Sequence, residues 1–189
     1  MKKKIVQSIV LMLLTSTLSA QTNCEFNSQR IGNIKFENTI SDAKIELNKY
    51  FNVEETDFGG FLVYDGKERI LTVIAKLNTD EIGAILILTD KFQTHDGLKI
   101  GLTIEEIEKF RSDFFLEYDE SSGSECFLPE EFQITERDSI KRKVKFYFRG
   151  KTNAKLGNYE FDKGMGKLRK SYDNNGAGFV YLISIELVK

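Results

Sequence analysis

Residues 141–149 carry the residue types and spacing most suited to binding chemistry. Basic and apolar side chains alternate there, a pattern typical of a strand with one buried and one exposed face. The exposed face would be basic and suited to an acidic protein, an anionic lipid or an acidic glycan. The alternative is an edge strand whose lysines oppose aggregation. The candidate binding residues are Lys141, Lys143, Lys145, Tyr147 and Arg149, together with Tyr172 from the glycine-rich segment 162–178.

Catalytic motifs are weak in this chain. His95 is its only histidine, and the surrounding Thr94-His95-Asp96-Gly97 is typical of a surface turn. The sequence has no Gly-x-Ser-x-Gly, no His-Glu-x-x-His, no cysteine cluster and no phosphate-binding loop of the usual residue order. We therefore predict no catalytic residue, no metal and no cofactor. A hydrolase that uses paired carboxylates is the weakest alternative, since its geometry is invisible in sequence.

Residues 119–126 form an acidic stretch rich in serine and glycine. Its carboxylates could provide oxygen ligands for Ca²⁺, but their spacing does not match an EF-hand loop. We therefore favour a solvated acidic loop over a calcium site. The carboxylates concerned are Glu117, Asp119, Glu120 and Glu125.

The first twenty residues have the layout of a secretory signal peptide. Three lysines precede an apolar stretch, and small residues end at Ala20, where cleavage would occur. The apolar stretch is too short to span a membrane as a helix. We predict a signal peptide at 1–20, no membrane span after its cleavage, and a mature bacterial protein in the periplasm or secreted. An uncleaved anchor is the alternative.

In the exported protein the two cysteines, Cys24 and Cys126, would lie in an oxidising compartment. An even number of cysteines in such a compartment favours a disulfide between them. The alternative is two thiols that are free or paired elsewhere.

Charge is unevenly distributed along the chain. Without the three lysines of residues 1–20, 24 basic and 29 acidic residues remain, which argues against a general nucleic-acid binder. Residues 96–136 hold twelve acids and three bases, whereas residues 137–189 hold thirteen bases and five acids. These segments would either neutralise each other in the fold or present opposed faces to partners.

Two stretches of similar pattern, offset by 64 residues, predict an internal repeat. Each has a Lys-apolar pair, a Thr-Ile helix start at Thr39 or Thr103, and a later aromatic pair. The second helix start also has Glu106 in the position of a capping box. We predict an α+β fold, a tandem duplication in which each unit is a capped helix packed on an antiparallel sheet. The units would be 21–94 and 95–189, sharing one globular domain.

A strand followed by Gly101-Leu102-Thr103 and a capped helix resembles the β-lactamase-inhibitor-protein-like domains and the related small outer-membrane-assembly proteins. In those exported bacterial domains, a Gly-Met-Thr segment opens a helix that packs on a short antiparallel sheet, often in tandem. The resemblance covers about ten residues per unit. This chain has Leu102 where the family has methionine, lacks tryptophan, and lacks the glycine in its first unit. The resemblance implies protein–protein binding by a concave sheet.

These features together favour an exported, non-enzymatic binding protein, of the inhibitor or envelope-accessory type. Its partner would be an envelope or extracellular protein, with anionic lipid or glycan as alternative ligands. A periplasmic carrier of a small ligand or lipid, with a cavity between helix and sheet, is the alternative function.

Overall fold

The computed structural model describes residues 25–57, 59–119, 123–136, 139–150, 155–157, 159, 168–171 and 178–187. The predictions for residues 1–20, Cys24 and Tyr172 lie outside these residues, as does most of the segment 162–178.

Strands dominate the described part of the chain, which has twelve of them, two α-helices and a short 3-10 helix. The strands are β1 (Arg30–Ile31), β2 (Ile34–Lys35), β3 (Asn52–Glu55), β4 (Gly60–Asp65), β5 (Glu68–Ala75), β6 (Ile82–Ile87), β7 (Leu116–Asp119), β8 (Ser124–Phe127), β9 (Ile134–Glu136), β10 (Ser139–Arg149), β11 (Leu168–Ser171) and β12 (Phe179–Leu187). The helices are α1 (Ile40–Leu47), α2 (Ile104–Glu108) and the 3-10 helix Glu130–Phe132.

Ten of the described strands form one antiparallel sheet, in the order β11-β7-β8-β10-β12-β6-β5-β4-β3. The remaining member, β9, pairs with the beginning of β10 on the side that β8 occupies further along. The pairing of β6 with β12 joins the two halves of the sheet, with Ile183 opposite Ile87 and Ile185 opposite Ile85. Strands β1 and β2 form a separate hairpin.

The hydrophobic core lies against one face of this sheet. Alternate residues of the long strands are fully buried there, as Val144 and Phe146 on β10 and Ile183 and Ile185 on β12 illustrate. Burying a side chain of this size contributes about 1.5–3 kcal/mol. The helices add Ala43 and Leu47 from α1 and Ile104 and Ile107 from α2 to the same buried cluster.

The predicted α+β tandem, with one capped helix on its own antiparallel sheet in each unit, was wrong. The described part of the chain is mostly β, the α-helices within it have only eight and five residues, and strands from both halves share one sheet. Helix α2 ends at Glu108 with Lys109 as its C-cap, and Phe110, which follows, is exposed. β-Branched and aromatic residues instead make β10 and β12 long strands. The unit boundary between 94 and 95 stays a prediction.

Both helix starts lie where the sequence predicted them. Thr39 Oγ1 accepts a hydrogen bond from the Asp42 N–H at 3.0 Å. Thr103 Oγ1 accepts one from the Glu106 N–H at 3.2 Å, and the Glu106 carboxylate accepts one from the Thr103 N–H at 2.8 Å. These two bonds complete the capping box. The bond that the carboxylate accepts from the Thr103 N–H lowers the pKa of Glu106.

Candidate functional site

Strand β10 presents one row of side chains to the sheet face opposite the core. Val144, Phe146 and Phe148 are buried on the core side. Because side chains alternate along a strand, the intervening residues point the other way. We call these residues the basic row: Lys143, Lys145, Tyr147 and Arg149, preceded by Lys141, which lies at an irregularity in the pairing of β10 with β9.

The structure excludes the edge-strand interpretation of these lysines. β10 pairs with β12 on one side and with β8 and β9 on the other, so it lies inside the sheet. Exposure varies along the row. Lys141 and Arg149 are exposed, whereas Lys145 is only 7% exposed. Edge protection therefore does not account for this row.

Glu186 on β12 is the centre of the polar contacts in this row. The Nζ atoms of Lys143 and Lys145 each lie 3.9 Å from Glu186 Oε2. On the other carboxylate oxygen, Oε1, Glu186 accepts hydrogen bonds from Ser184 Oγ at 2.6 Å and from Tyr147 Oη at 3.3 Å. The register that places Lys143 opposite Glu186 and Lys145 opposite Ser184 brings these groups together.

This partly buried environment changes the acidities of two groups. Burial lowers the pKa of Lys143, the charge of Lys145 lowers it further, and Glu186 opposes both effects. Burial also raises the pKa of Tyr147, and the Glu186 carboxylate raises it further. Both shifts follow from placing several ionisable groups side by side in a poorly solvated row.

The same sheet face continues from β10 across the first half of the chain as an apolar surface. Ser184 is opposite Leu86, Leu86 is opposite Thr72, and Thr72 is opposite Leu62, so these side chains share a face with Lys145. Leu86, Thr72 and Leu62 are only partly buried. We call this surface the open face: the basic row with Leu182, Ser184, Glu186, Ala84, Leu86, Thr72, Ile74 and Leu62.

A second polar arrangement lies on the core side of β8, where Glu125 is buried. Its Oε1 accepts hydrogen bonds from the N–H groups of Leu156 (2.8 Å) and Gly157 (2.9 Å) and from Tyr159 Oη (2.8 Å). Its Oε2 accepts a further bond from the Leu156 N–H at 2.9 Å. We call this arrangement the Glu125 clasp.

Gly157 allows the clasp to close. A Cβ atom at this position would lie 2.6 Å from Tyr159 Oη, closer than side-chain atoms can pack. The Lys155 Nζ lies 3.9 Å from the centre of the Tyr118 ring, which in turn packs against Tyr159. The clasp thereby fixes residues 155–157 and Tyr159 to the sheet.

The strand register separates two of the carboxylates that could have formed a calcium site near residue 120. Glu117 is opposite Cys126 in the sheet, whereas Glu125 is opposite Tyr118, so the two carboxylates point to opposite faces. No group of three potential metal ligands occurs within the described residues. Glu117 and Glu125 therefore cannot share one cation. Glu120 and the side chain of Asp119 lie outside the described part of the chain, so the interpretation of this stretch as a solvated loop stays a prediction.

The remaining predicted residues fall into two groups. His95 is exposed in a turn, where its ring packs edge-on against Phe132 with centroids 5.8 Å apart. Cys126 is fully buried. Because Cys24 and Tyr172 lie outside the described residues, the disulfide and the loop contact stay predictions. No helix within the described ranges is long and apolar enough to cross a membrane.

A third arrangement, which the sequence did not reveal, surrounds Arg111. Its guanidinium pairs with Asp96 at 2.6 Å, with Asp113 at 2.7 Å, and with Glu131. Its carbon Cζ lies 5.6 Å from the centre of the Phe127 ring. Burial would lower the pKa of Arg111, but the hydrogen bonds to Glu131, Asp113 and Asp96 outweigh it and raise the pKa. Arg111 thus ties together three chain segments.

The clasp predicts a loss of stability in alkali. Burial raises the pKa of Tyr159, and its hydrogen bond to Glu125 raises it further. The unfolded tyrosine titrates near pH 10, so this stabilisation is complete below about pH 10 and is lost as pH rises above it. We expect the free energy of unfolding, measured with urea, to fall between pH 10 and 11. The fall should be smaller in Tyr159→Phe, and equal slopes in the two proteins would contradict the assignment.

Comparison with known proteins adds little to this geometry. No protein-family model matches the chain, and no match was found among the curated proteins. Among solved structures, the chain is similar to the crystal structure of the uncharacterized protein yfeY from Escherichia coli. The TM-score is 0.46 at 13% sequence identity, covering 86% of this chain and 99% of that chain.

Proposed function

We propose that this chain is an exported, non-enzymatic binding protein that contacts an acidic protein partner through its open face. The observation that carries the proposal is that the basic row and the partly exposed side chains of Leu62, Thr72 and Leu86 lie on the same face of the sheet. The buried Ser184 lies between the two groups. The signal-peptide pattern of residues 1–20 supports export, and it makes an envelope or extracellular protein the partner class.

The chemistry of the open face suits a protein better than a small molecule. Leu62, Thr72 and Leu86 offer apolar area for burial, which drives most protein association. Lys141 and Arg149 lie exposed at the two ends of the row, where a partner's carboxylates would meet cations. Arg149 stacks 4.4 Å from the centre of the Tyr181 ring, an aromatic–arginine pair of the kind enriched at interfaces.

Charge reversal on the basic row tests the proposal. The double variant Lys141→Glu/Lys143→Glu changes two row lysines that are not buried, and it leaves the buried Lys145 in place. Lys67→Glu makes the same kind of change in the exposed β4–β5 turn, away from this face, and serves as the control. Each protein would be immobilised and used to capture partners from the native envelope, and bound proteins would be quantified by mass spectrometry.

We expect an acidic protein that the unchanged chain and Lys67→Glu both retain, with at least tenfold less retained by the double variant. Such a loss corresponds to about 1.4 kcal/mol of binding free energy. Retention should also weaken as salt is raised, because the contact is electrostatic. Equal capture by all three proteins, or capture of nothing by any of them, would contradict binding through the open face.

A further inference from the structure

A pocket opens between helix α1 and the sheet, on the core side of the sheet and therefore opposite the open face. Its volume is about 160 Å³. The walls come from the β1–β2 hairpin, from α1 and the turn after it, from the end of β4, from β5, and from the segment after β6. The apolar side chains that line it are Ile31, Ile34, Leu47, Phe51, Ile70 and Phe92.

These walls are held by the core, so the pocket is preformed. Ile31, Ile34, Leu47 and Ile70 are at most 5% exposed and belong to the main buried cluster. Tyr50 also lines the pocket and is 58% exposed, which makes it the solvent side of the opening. A cavity of roughly 150 Å³ with apolar walls holds a molecule of the size of benzene.

The charges near the pocket select against an anionic ligand. The Nζ of Lys91 lies 2.6 Å from Asp65 Oδ2 and 3.6 Å from Glu68 Oε2, so two carboxylates hold its charge. Glu46, which also lines the pocket, pairs with Lys49. A ligand carboxylate would have to displace one of these acids from its lysine, at a cost in desolvation.

We propose that this pocket binds a small neutral apolar molecule of the size of a monocyclic aromatic. The volume sets the size, the six apolar side chains set the polarity, and the ion pairs near Lys91 exclude a fatty acid or an aromatic carboxylate. The site is separate from the open face, so it does not depend on the proposed protein-binding function.

Methyl NMR of the purified protein tests the proposal, with toluene, phenol and benzoate as the probes. The resonances of Ile31, Ile34, Ile70 and Leu47 report on the pocket walls. Ile34→Phe places extra volume in the pocket, and Leu47→Phe is a second filling variant should the first not fold. Ile45→Phe makes the same change as Ile34→Phe on the outward side of α1, where Ile45 is 65% exposed.

Toluene and phenol are expected to shift the pocket methyls saturably in the unchanged protein and in Ile45→Phe, with benzoate at least tenfold weaker. The shifts should be lost in a folded filling variant, as judged by its dispersed spectrum. No saturable shift up to the solubility limit of toluene would overturn the proposal. So would shifts that map elsewhere, that persist in the filling variants, or that benzoate produces equally well.

Discussion

Replacing Glu125 with alanine should lower the free energy of unfolding by about 3 kcal/mol, because it removes a buried charged acceptor that serves several donors. The N–H groups of Leu156 and Gly157 and the hydroxyl of Tyr159 would all lose their partner. Urea unfolding measures the loss. Hydrogen exchange at the amides of Leu156 and Gly157 should become faster in the variant, since these are the amides that the carboxylate protects.

Two further variants separate the clasp from a general effect of losing a charge. Glu125→Gln keeps one acceptor oxygen but turns an amide nitrogen toward the Leu156 N–H, so an intermediate loss of about 1–2 kcal/mol is expected. Glu54→Ala removes an exposed carboxylate on β3 and should stay within about 0.5 kcal/mol of the unchanged protein. If Glu125→Ala unfolds like Glu54→Ala, the clasp does not stabilise the fold.

Arg111→Ala should also lower the free energy of unfolding by about 3 kcal/mol, because it removes a cation that several carboxylates share. Its removal leaves Asp96, Asp113 and Glu131 close together without the cation that neutralises them. The Arg111 side chain is only 10% exposed, so water does not replace it freely. Thermal or urea unfolding at pH 7 measures the difference.

The pH dependence of that difference identifies its origin. The hydrogen bond from Arg111 lowers the pKa of Asp113. This stabilisation is present above the unfolded value of about 4 and is lost as pH falls through the lowered value, so the two proteins should converge in acid. Arg69→Ala, at an exposed arginine on β5, is the matched control and should change little. If the stability difference between Arg111→Ala and the unchanged protein does not depend on pH, lost packing on Phe127 explains it instead.

Local features of this fold could be predicted from the sequence. The alternation around Val144 and Phe146 predicted the two faces of β10, and the threonines at 39 and 103 predicted both helix starts. Asp65-Gly66 is a pair of residues typical of hairpin turns, and the β4–β5 turn has Gly66 at a φ of +62°. Each of these signals depends only on residues close together in the chain.

The features that sequence reasoning missed depend on pairing between distant segments. Nothing in the residues of β10 indicates that Glu186 will lie opposite Lys143, because the register of β10 with β12 decides it. Likewise, Glu125 lies more than 30 residues before the amides it binds. The prediction of the fold class was wrong for the same reason, since hydrogen bonds between β6 and β12 join the two expected sheets into one.

The position of β12 has a consequence for the order of events in folding. This strand follows every other described strand in the chain, yet it lies between β10 and β6 in the sheet. Until residues 179–187 have emerged, the earlier strands can form only two separate ribbons, each ending in an unpaired edge. Closing the sheet then needs contacts between residues about 100 positions apart, such as Ile183 with Ile87. Such long-range pairing slows folding and leaves these edges open to wrong partners in the meantime.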